Sequence, residues 1–297
     1  MVRAAVMGEG ARGALPRRFG THAGEGKGER MAPGIRRPRR AILLTTLSLA
    51  VGAATSATAA AAPVRALATS PRPTAQDTLT REAVLARLAA ATLQKPADFS
   101  GADLSGLDLS GVDFKRANLS NAKLVGTRFA HAKMFGVTLS GAVARGADFE
   151  GAVLDVSVMR GTDLTHANLR GASLYAAIMI GADLTEADLT RARVIGALEK
   201  AKLVRAKLVD ADFGADPGNQ PMGVMYSNFS DADLQGADLR GTNLRKASLV
   251  RANLTGADLT GADVTDADLA SAVLKSIVGR SRIVGLAKAR NAAQAIW

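Results

Sequence analysis

A large apolar residue recurs at every fifth position from Phe99 onward: Leu104, Leu109, Phe114, Leu119, Leu124, Phe129, Met134, Leu139 and, with small lapses, on to Val194. Two residues before each stands a small one, usually alanine, as at Ala102, Ala117, Ala147 and Ala182. Fixed short-period self-similarity is the signature of a solenoid. A helix needs apolar spacing of three and four, and a flat strand needs spacing of two. Spacing of five fits neither, but it fits a short extended piece followed by a corner. The alanine and the large residue, two apart, then share a side. The residue between them points out, and the last two turn the chain, which explains the Ser-Gly, Thr-Gly and Arg-Gly pairs found there.

The beat must be long to be stable. Ordering five residues costs about 5–10 kcal/mol of backbone entropy, whereas burying one leucine returns about 1.5–3 kcal/mol. A lone unit therefore cannot fold. Stacked coils close the gap by pairing backbones at about 4.8 Å, and the two open ends need covering.

Units such as Ala182-Asp183-Leu184-Thr185-Glu186 and Ala252-Asn253-Leu254-Thr255-Gly256 resemble the A-(D/N)-L-x-x units of the pentapeptide-repeat family, and the resemblance spans residues 97–274. It implies an all-β solenoid, a right-handed quadrilateral β-helix with four units per coil. Twenty-residue coils have independent support, because Val158-Met159 is echoed by Ile178-Met179 and Phe129 by Phe149.

Both ends are legible. Residues 80–95 predict a short capping α-helix, with Thr80 as N-cap, Glu82 at the positive helix end and Pro96 as stop. Val84, Leu85 and Leu88 are expected over the first coil, facing Phe99 and Leu104. Residues 275–297 lose the beat and read as a degenerate closing coil or short helix, anchored by Trp297, the only tryptophan. Two irregularities interrupt the array. One residue is missing between Ala197 and Ala201, and residues 214–226 carry no repeat before Phe229 restarts it. Phe213 to Phe229 is one residue more than three units, so the surplus is expected to offset the earlier loss as a single bulge.

Ahead of the array, Arg36, Arg37, Arg39 and Arg40 precede the apolar run 41–51 and alanine-rich cleavage options such as Ala59-Ala60-Ala61 and Ala66-Leu67-Ala68. Residues 31–68 therefore read as a signal peptide and 69–79 as a linker, with an uncleaved membrane anchor as the alternative. Residues 1–30, rich in glycine and arginine without periodicity, read as an extension ahead of a translation start at Met31. The expectation is a periplasmic or secreted protein.

The net charge of +11 is mostly a property of the leader, since residues 97–274 carry slightly more Asp and Glu than Lys and Arg. The cluster Arg191, Arg193, Lys200, Lys202, Arg205 and Lys207 has no interleaved aromatics and reads as solvated corners, so no nucleic acid is expected. Some members of the resembled family mimic DNA and bind DNA gyrase in quinolone resistance. Mimicry needs a sustained negative field, and Lys123, Arg128, Lys133 and Arg193 interrupt it. A cytoplasmic gyrase-interacting protein is the rival reading. There is no cysteine, hence no thiol chemistry. His131 and His166 fall in separate corners, and the Asp and Asn residues before each apolar centre suit turn amides. No cofactor, metal, small-molecule substrate or catalytic activity is expected.

Apolar residues where the pattern wants polar ones are more telling. Sorting by twenty puts Phe135, Tyr175 and Ile195 in one outward column, interrupted by Asp155. Val153, Val156, Val158, Ile178 and Ile180 fall beside them around the next corner. Together they form a candidate interaction patch for a protein partner or a second copy, unless Met222, Val224, Met225 and Tyr226 fold back over it. The assignment of inward and outward positions is checked by denaturation midpoints. Leu169→Ala is expected to cost about 2–5 kcal/mol and Ala167→Leu about 1–3 kcal/mol, with Asn168→Ser mild; Asn168→Ser ranking worst would reverse the assignment.

Overall fold

A computed structural model describes residues 79–215 and 225–297. The leader, nearly all of the linker, Met222 and Val224 lie outside the described residues.

The five-residue unit folds as its pattern requires. Parallel bridges join each outward residue to the one twenty positions on: Asp98 to Asn118, Asp103 to Lys123, Asp108 to Arg128 and Asp113 to Lys133. Each bridge is made by paired backbone bonds. Phe99 N donates to Asn118 O at 2.7 Å, and Asn118 N donates to Ala97 O at 2.9 Å. Four such bridges per coil make a β-helix. In one region the pieces lengthen into a parallel pair of strands, β1 (Ser173–Ile178) and β2 (Arg193–Ala197).

The core is the stack of every fifth residue, with Phe129 and Phe149 stacked at 5.0 Å between ring centroids and 10° between planes. The alanine column is buried with it. Several hydroxyls that replace alanine find backbone acceptors: Thr127 Oγ1 donates to Leu104 O at 2.9 Å, Thr162 Oγ1 to Leu139 O at 2.8 Å and Ser227 Oγ to Val194 O at 2.7 Å. These bonds offset the cost of burying a polar group. The Ser157 hydroxyl is buried in the same column without such a bond.

The register departs from twenty in three places. Ile178 pairs with Ala197, nineteen positions on, because the corner before Ala197 is one residue short. Gly196 takes the slot that alanine holds elsewhere: Asn228 N donates to Gly196 O at 2.9 Å, as Asn118 N does to Ala97 O. The chain is so tight there that a Cβ on Gly196 would sit 2.2 Å from the Ala177 carbonyl oxygen. Next, Ala197, Lys202, Lys207 and Asp212 pair with residues 31 positions on, beginning with Asn228. This corrects the expected compensating bulge: Phe213 and Phe229 stand on consecutive sides of the coil, so eleven extra residues enter at one corner. The stack absorbs them because a corner, unlike a paired side, has no register to keep, and lengthening a loop costs little.

The third departure is the closing segment, which continues the stack as a coil with a six-residue beat. Val278, Val284, Arg290 and Ile296 each bridge to the coil beneath, their offsets growing from twenty to twenty-three. Gly279, Gly285 and Asn291 each start a one-turn 3-10 helix from a positive φ. Leu286 and Trp297 lie against Leu259, Val264, Leu269 and Leu274, and the Arg280 guanidinium lies 3.9 Å from the Trp297 ring centroid.

At the other end, α1 (Arg81–Ala90) starts at Thr80, whose side chain accepts from Ala83 N. It buries Val84 and Leu88, and Leu79 N donates to Asp103 O at 3.0 Å. Two expectations are corrected. Leu85 is exposed, one position off the buried stripe. The helix also ends before Pro96: Ala91 is extended, and the Thr92 hydroxyl accepts Lys95 N at 3.0 Å in a turn of its own.

Two glycines separate strain from collision. At Gly181, φ is +66° and nothing lies within 4 Å of the place a methyl group would occupy, so Gly181→Ala is expected to cost about 1–2 kcal/mol of left-handed strain alone. Gly196→Ala meets backbone and is expected to cost about 2–4 kcal/mol. Urea denaturation checks the order, and equal costs would contradict the nineteen-residue register.

Candidate functional site

One corner of the coil carries four of the eight misplaced apolar residues. It is formed, coil after coil, by the two residues that follow Phe114, Met134, Leu154, Leu174 and Val194. The first of each pair is Lys115, Phe135, Asp155, Tyr175 and Ile195 in turn, and the pleat directs it outward. The second turns the chain through the left-handed region. It is Gly136 in one coil but Val156 and Ala176 in the next two, at φ of +59° and +57°. Among the nineteen non-glycine residues described with positive φ, Val156 is the only β-branched one, and such a residue is an outlier there.

The predicted patch divides into three groups. Phe135, Val153 and Val156 are exposed, at 52 %, 37 % and 45 % of full accessibility. Val158, Tyr175, Ile178 and Ile180 are half-buried. Val158 and Ile178 bridge one another directly, and Tyr175 lies under the Arg193 guanidinium at 4.8 Å. Ile195 is a correction: it is 1 % exposed and is no part of the surface. Arg193 pairs with Asp212, which sets Ile195 beside Gly214, just before the insertion. Two residues on, Ala197 pairs with Asn228, where the chain returns. Chain on both sides of the insertion thus encloses Ile195. Met225 and Tyr226 line a groove with Ala177, Ile178 and Ala197, which places the returning chain at the edge of the patch.

Asp155 interrupts the outward column with a carboxylate that is bonded to the next coil. Its Oδ1 accepts Tyr175 N at 2.9 Å and the Ser173 hydroxyl at 2.6 Å, so the carboxylate serves the next coil. The surrounding cations do not stand out as a group along the chain, although sorting by twenty would find them. Lys133 bridges to Val153. Arg116 runs along the same corner, its Cγ and Nε 3.3 Å from the place of a Cβ on Gly136. Arg160 follows Val158 by two residues and stands one coil from Ile180. Arg116, Lys133 and Arg160 form no ion pair among the described residues.

The other carboxylates hold turns and neighbouring coils. In unit after unit the Asp or Asn Oδ1 accepts the backbone N–H two residues on, as in Asp98 to Ser100, Asp103 to Ser105 and Asp258 to Thr260. The same side chains are bonded between coils, for example Asn118 Nδ2 to Asp98 at 3.0 Å and Asn168 Nδ2 to Asp148 at 2.9 Å. Such bonds depress some of these acids, Asp98 and Asp103 among them. The Ser100 amide, with its hydroxyl and Asn118, holds Asp98 below the usual carboxylate range; the Arg240 side chain does the same for Asp238. Burial pushes Asp163 and Asp188 up, but bonds from Arg145 and Thr165, and from Thr190 and Arg170, outweigh it. His166 Nδ1 lies 3.2 Å from Glu186, which also binds Arg205, and all three are at solvated corners. No group of three or more His, Asp or Glu among the described residues is arranged to hold a metal. No described helix is long and apolar enough to cross a membrane.

Against known families, the description "Pentapeptide repeats" matches in eight copies over residues 97–134, 132–171, 167–197 and 227–266. No curated protein matches significantly. Among solved structures the chain is similar to HetL, a pentapeptide repeat protein involved in heterocyst differentiation regulation from the cyanobacterium Nostoc sp. strain PCC 7120. The identity is 28 % over 69 % of this chain and 99 % of that one, with a TM-score of 0.28. It is also similar to full-length QnrB1, a plasmid-mediated fluoroquinolone resistance protein, at 18 % over 62 % and 82 %, TM-score 0.33. A pentapeptide repeat protein of the Arabidopsis thaliana thylakoid lumen matches at 26 % over 48 % and 68 %, TM-score 0.17.

The depressed acids set the pH response. A carboxyl whose folded pKa lies below its unfolded value stabilises the fold above the unfolded pKa, and that contribution disappears as pH falls through the folded pKa. Melting temperature is therefore expected to be level above about pH 5 and to fall below about pH 4. Thermal melts across that range check it, and a decline that begins near neutrality would point to other groups.

Proposed function

The chain belongs to the pentapeptide-repeat family, and we propose that it is an exported, non-catalytic member acting as a protein-binding module. Its coils wind right-handed in a quadrilateral β-helix, with α1 as the N-terminal cap. The observation that carries the binding reading is the exposure of Phe135, Val153 and Val156 on consecutive coils. Apolar side chains grouped on a surface mark interaction sites more often than isolated ones do. The occupant is another protein or a second copy of this chain, and no nucleic acid or small-molecule substrate is involved. Burial of Val84 and Leu88, on one face of α1, supports the cap. The arginine-rich run before residues 41–51 supports export.

The alternation of charge favours this reading over gyrase binding by DNA mimicry. Up one column the outward residues run Asp108, Arg128, Asp148, Asn168, Asp188, Lys207 and Asp238, so adjacent charges offset one another and no continuous negative field builds up.

Phe135→Lys is the direct test. It is expected to abolish association in sedimentation or pull-down experiments while changing stability by less than about 0.5 kcal/mol, as surface substitutions do. Cell fractionation is expected to place a product lacking the leader outside the cytoplasm. An unprocessed cytoplasmic protein would overturn export, and undiminished association of Phe135→Lys would overturn the use of this surface.

A further inference from the structure

We infer that the surface formed by Phe135, Val153 and Val156 takes an acidic segment of a partner protein, one that alternates carboxylates with apolar side chains. The inference rests on the binding-module reading and specifies its partner's chemistry.

Three observations converge. First, the apolar side chains are exposed and lie on adjacent coils, Phe135 on one and Val153 and Val156 on the next. Second, the flanking charges are mainly positive, with Asp113, bridged to Lys133, and Asp155 as the carboxylates among them. Lys133 is bridged to Val153, Arg116 lies along the corner beside Gly136, and Arg160 lies across the adjoining side. Elsewhere on the stack many cations are neutralised, as in the pairs Arg145–Asp163, Arg205–Glu186, Arg245–Asp263 and Arg251–Asp231. The carboxylate on this corner, Asp155, keeps its charge but turns one oxygen to the Tyr175 amide and the Ser173 hydroxyl. Unpaired cations around an apolar centre are electrostatically complementary to an acidic ligand with apolar anchors. Third, Val156 holds a left-handed corner, φ +59°, that its own side chain disfavours. Glycine or asparagine would serve the fold better, so folding does not account for valine there. Strained residues persist at ligand contacts.

The extent of the surface selects the partner class. Two to three coils at about 4.8 Å offer room for roughly four extended residues at about 3.3 Å each, which is a short linear segment. An anionic bilayer would have to lie along the whole side. On the two sides that meet at this corner, Asp98 and Asp113 precede the patch, and Glu199 and Asp212 follow it, so a bilayer would meet carboxylates at both ends.

The test uses the purified full-length protein and a fluorescein-labelled peptide of alternating glutamate and leucine or phenylalanine, read by anisotropy. A matched lysine peptide and phosphatidylglycerol vesicles are the comparison probes. The glutamate peptide is expected to bind saturably, more weakly as salt rises, and the lysine peptide and vesicles are not. Lys133→Glu with Arg160→Glu is expected to weaken binding about tenfold or more. Val156→Asn is expected to weaken it too while leaving the melting temperature unchanged or higher, a combination that a purely structural role for Val156 does not produce. Equal binding of both peptides, undiminished binding by the charge-reversed variant, binding to vesicles alone, or no saturable binding would each overturn the inference. If the glutamate peptide fails while Phe135→Lys still abolishes association with a partner protein, the module reading stands and only the acidic chemistry falls. If Phe135→Lys also has no effect, both fall.

Discussion

Coil-to-coil backbone bonding is the constraint on which everything else depends. Each outward residue both donates to and accepts from the coils beside it, as Asn118 N does toward Ala97 and Asn118 O toward Phe99. A bridge supplies those bonds only if the next coil returns at the same height and on the same side. That demand holds most units at five residues, keeps the inner slot small, and puts the large apolar residue where four sides meet. Bulk in the alanine column would push the four sides apart and strain bridges on both neighbouring coils, so the slot is held by alanine or another small side chain. Corners carry fewer demands, which is why the insertion, Phe135 and Val156 all occur there.

Stacking has an electrostatic consequence. A column repeats one position at the coil spacing, and a column made only of aspartate would set like charges side by side. The chain alternates Asp with Asn, Lys and Arg up its columns, and the amide of Asn bonds the carboxylate beneath it. Where two acids do stand in succession, an arginine intervenes: Arg145 binds Asp163, which is bridged to Asp183, and Arg240 lies between Asp238 and Asp258. Arg116, Lys133 and Arg160, on the coils around Phe135, take part in none of these pairs.

How far the fold can be read from the linear chain follows from the same constraint. The beat, the inward and outward assignment and the twenty-residue coil are all legible, because pairing forces local sequence to repeat. Phe129 against Phe149 and Val158 beside Ile178 stand where the beat places them. The insertion is not legible, because the sixteen residues from Phe213 to Phe229 nearly equal three units, and spacing alone does not tell a side from a loop. Ile195 misleads for a related reason: its column position is outward, and only the register shows the insertion beginning just past Gly214 beside it. The closing coil carries its signal at another period, since Val278, Val284, Arg290 and Ile296 are spaced by six. The surface falls in between. Phe135, Val153 and Val156 stand out along the chain as misplaced apolar residues, but their cations lie one or two coils away and come together only when coils are stacked.

Register therefore belongs to the coil and not to the linear sequence. Removal of residues 216–226 tests this most directly, because it joins Ala215 to Ser227 and returns the 31-residue step between Ala197 and Asn228 to twenty. Circular dichroism melts of the shortened protein should show the same β signature and one cooperative transition within a few degrees of the parent. Loss of that signature, or a melting temperature lowered as far as by a core truncation such as Leu169→Ala, would show that the inserted residues help to build a coil and would contradict a register set by the coil.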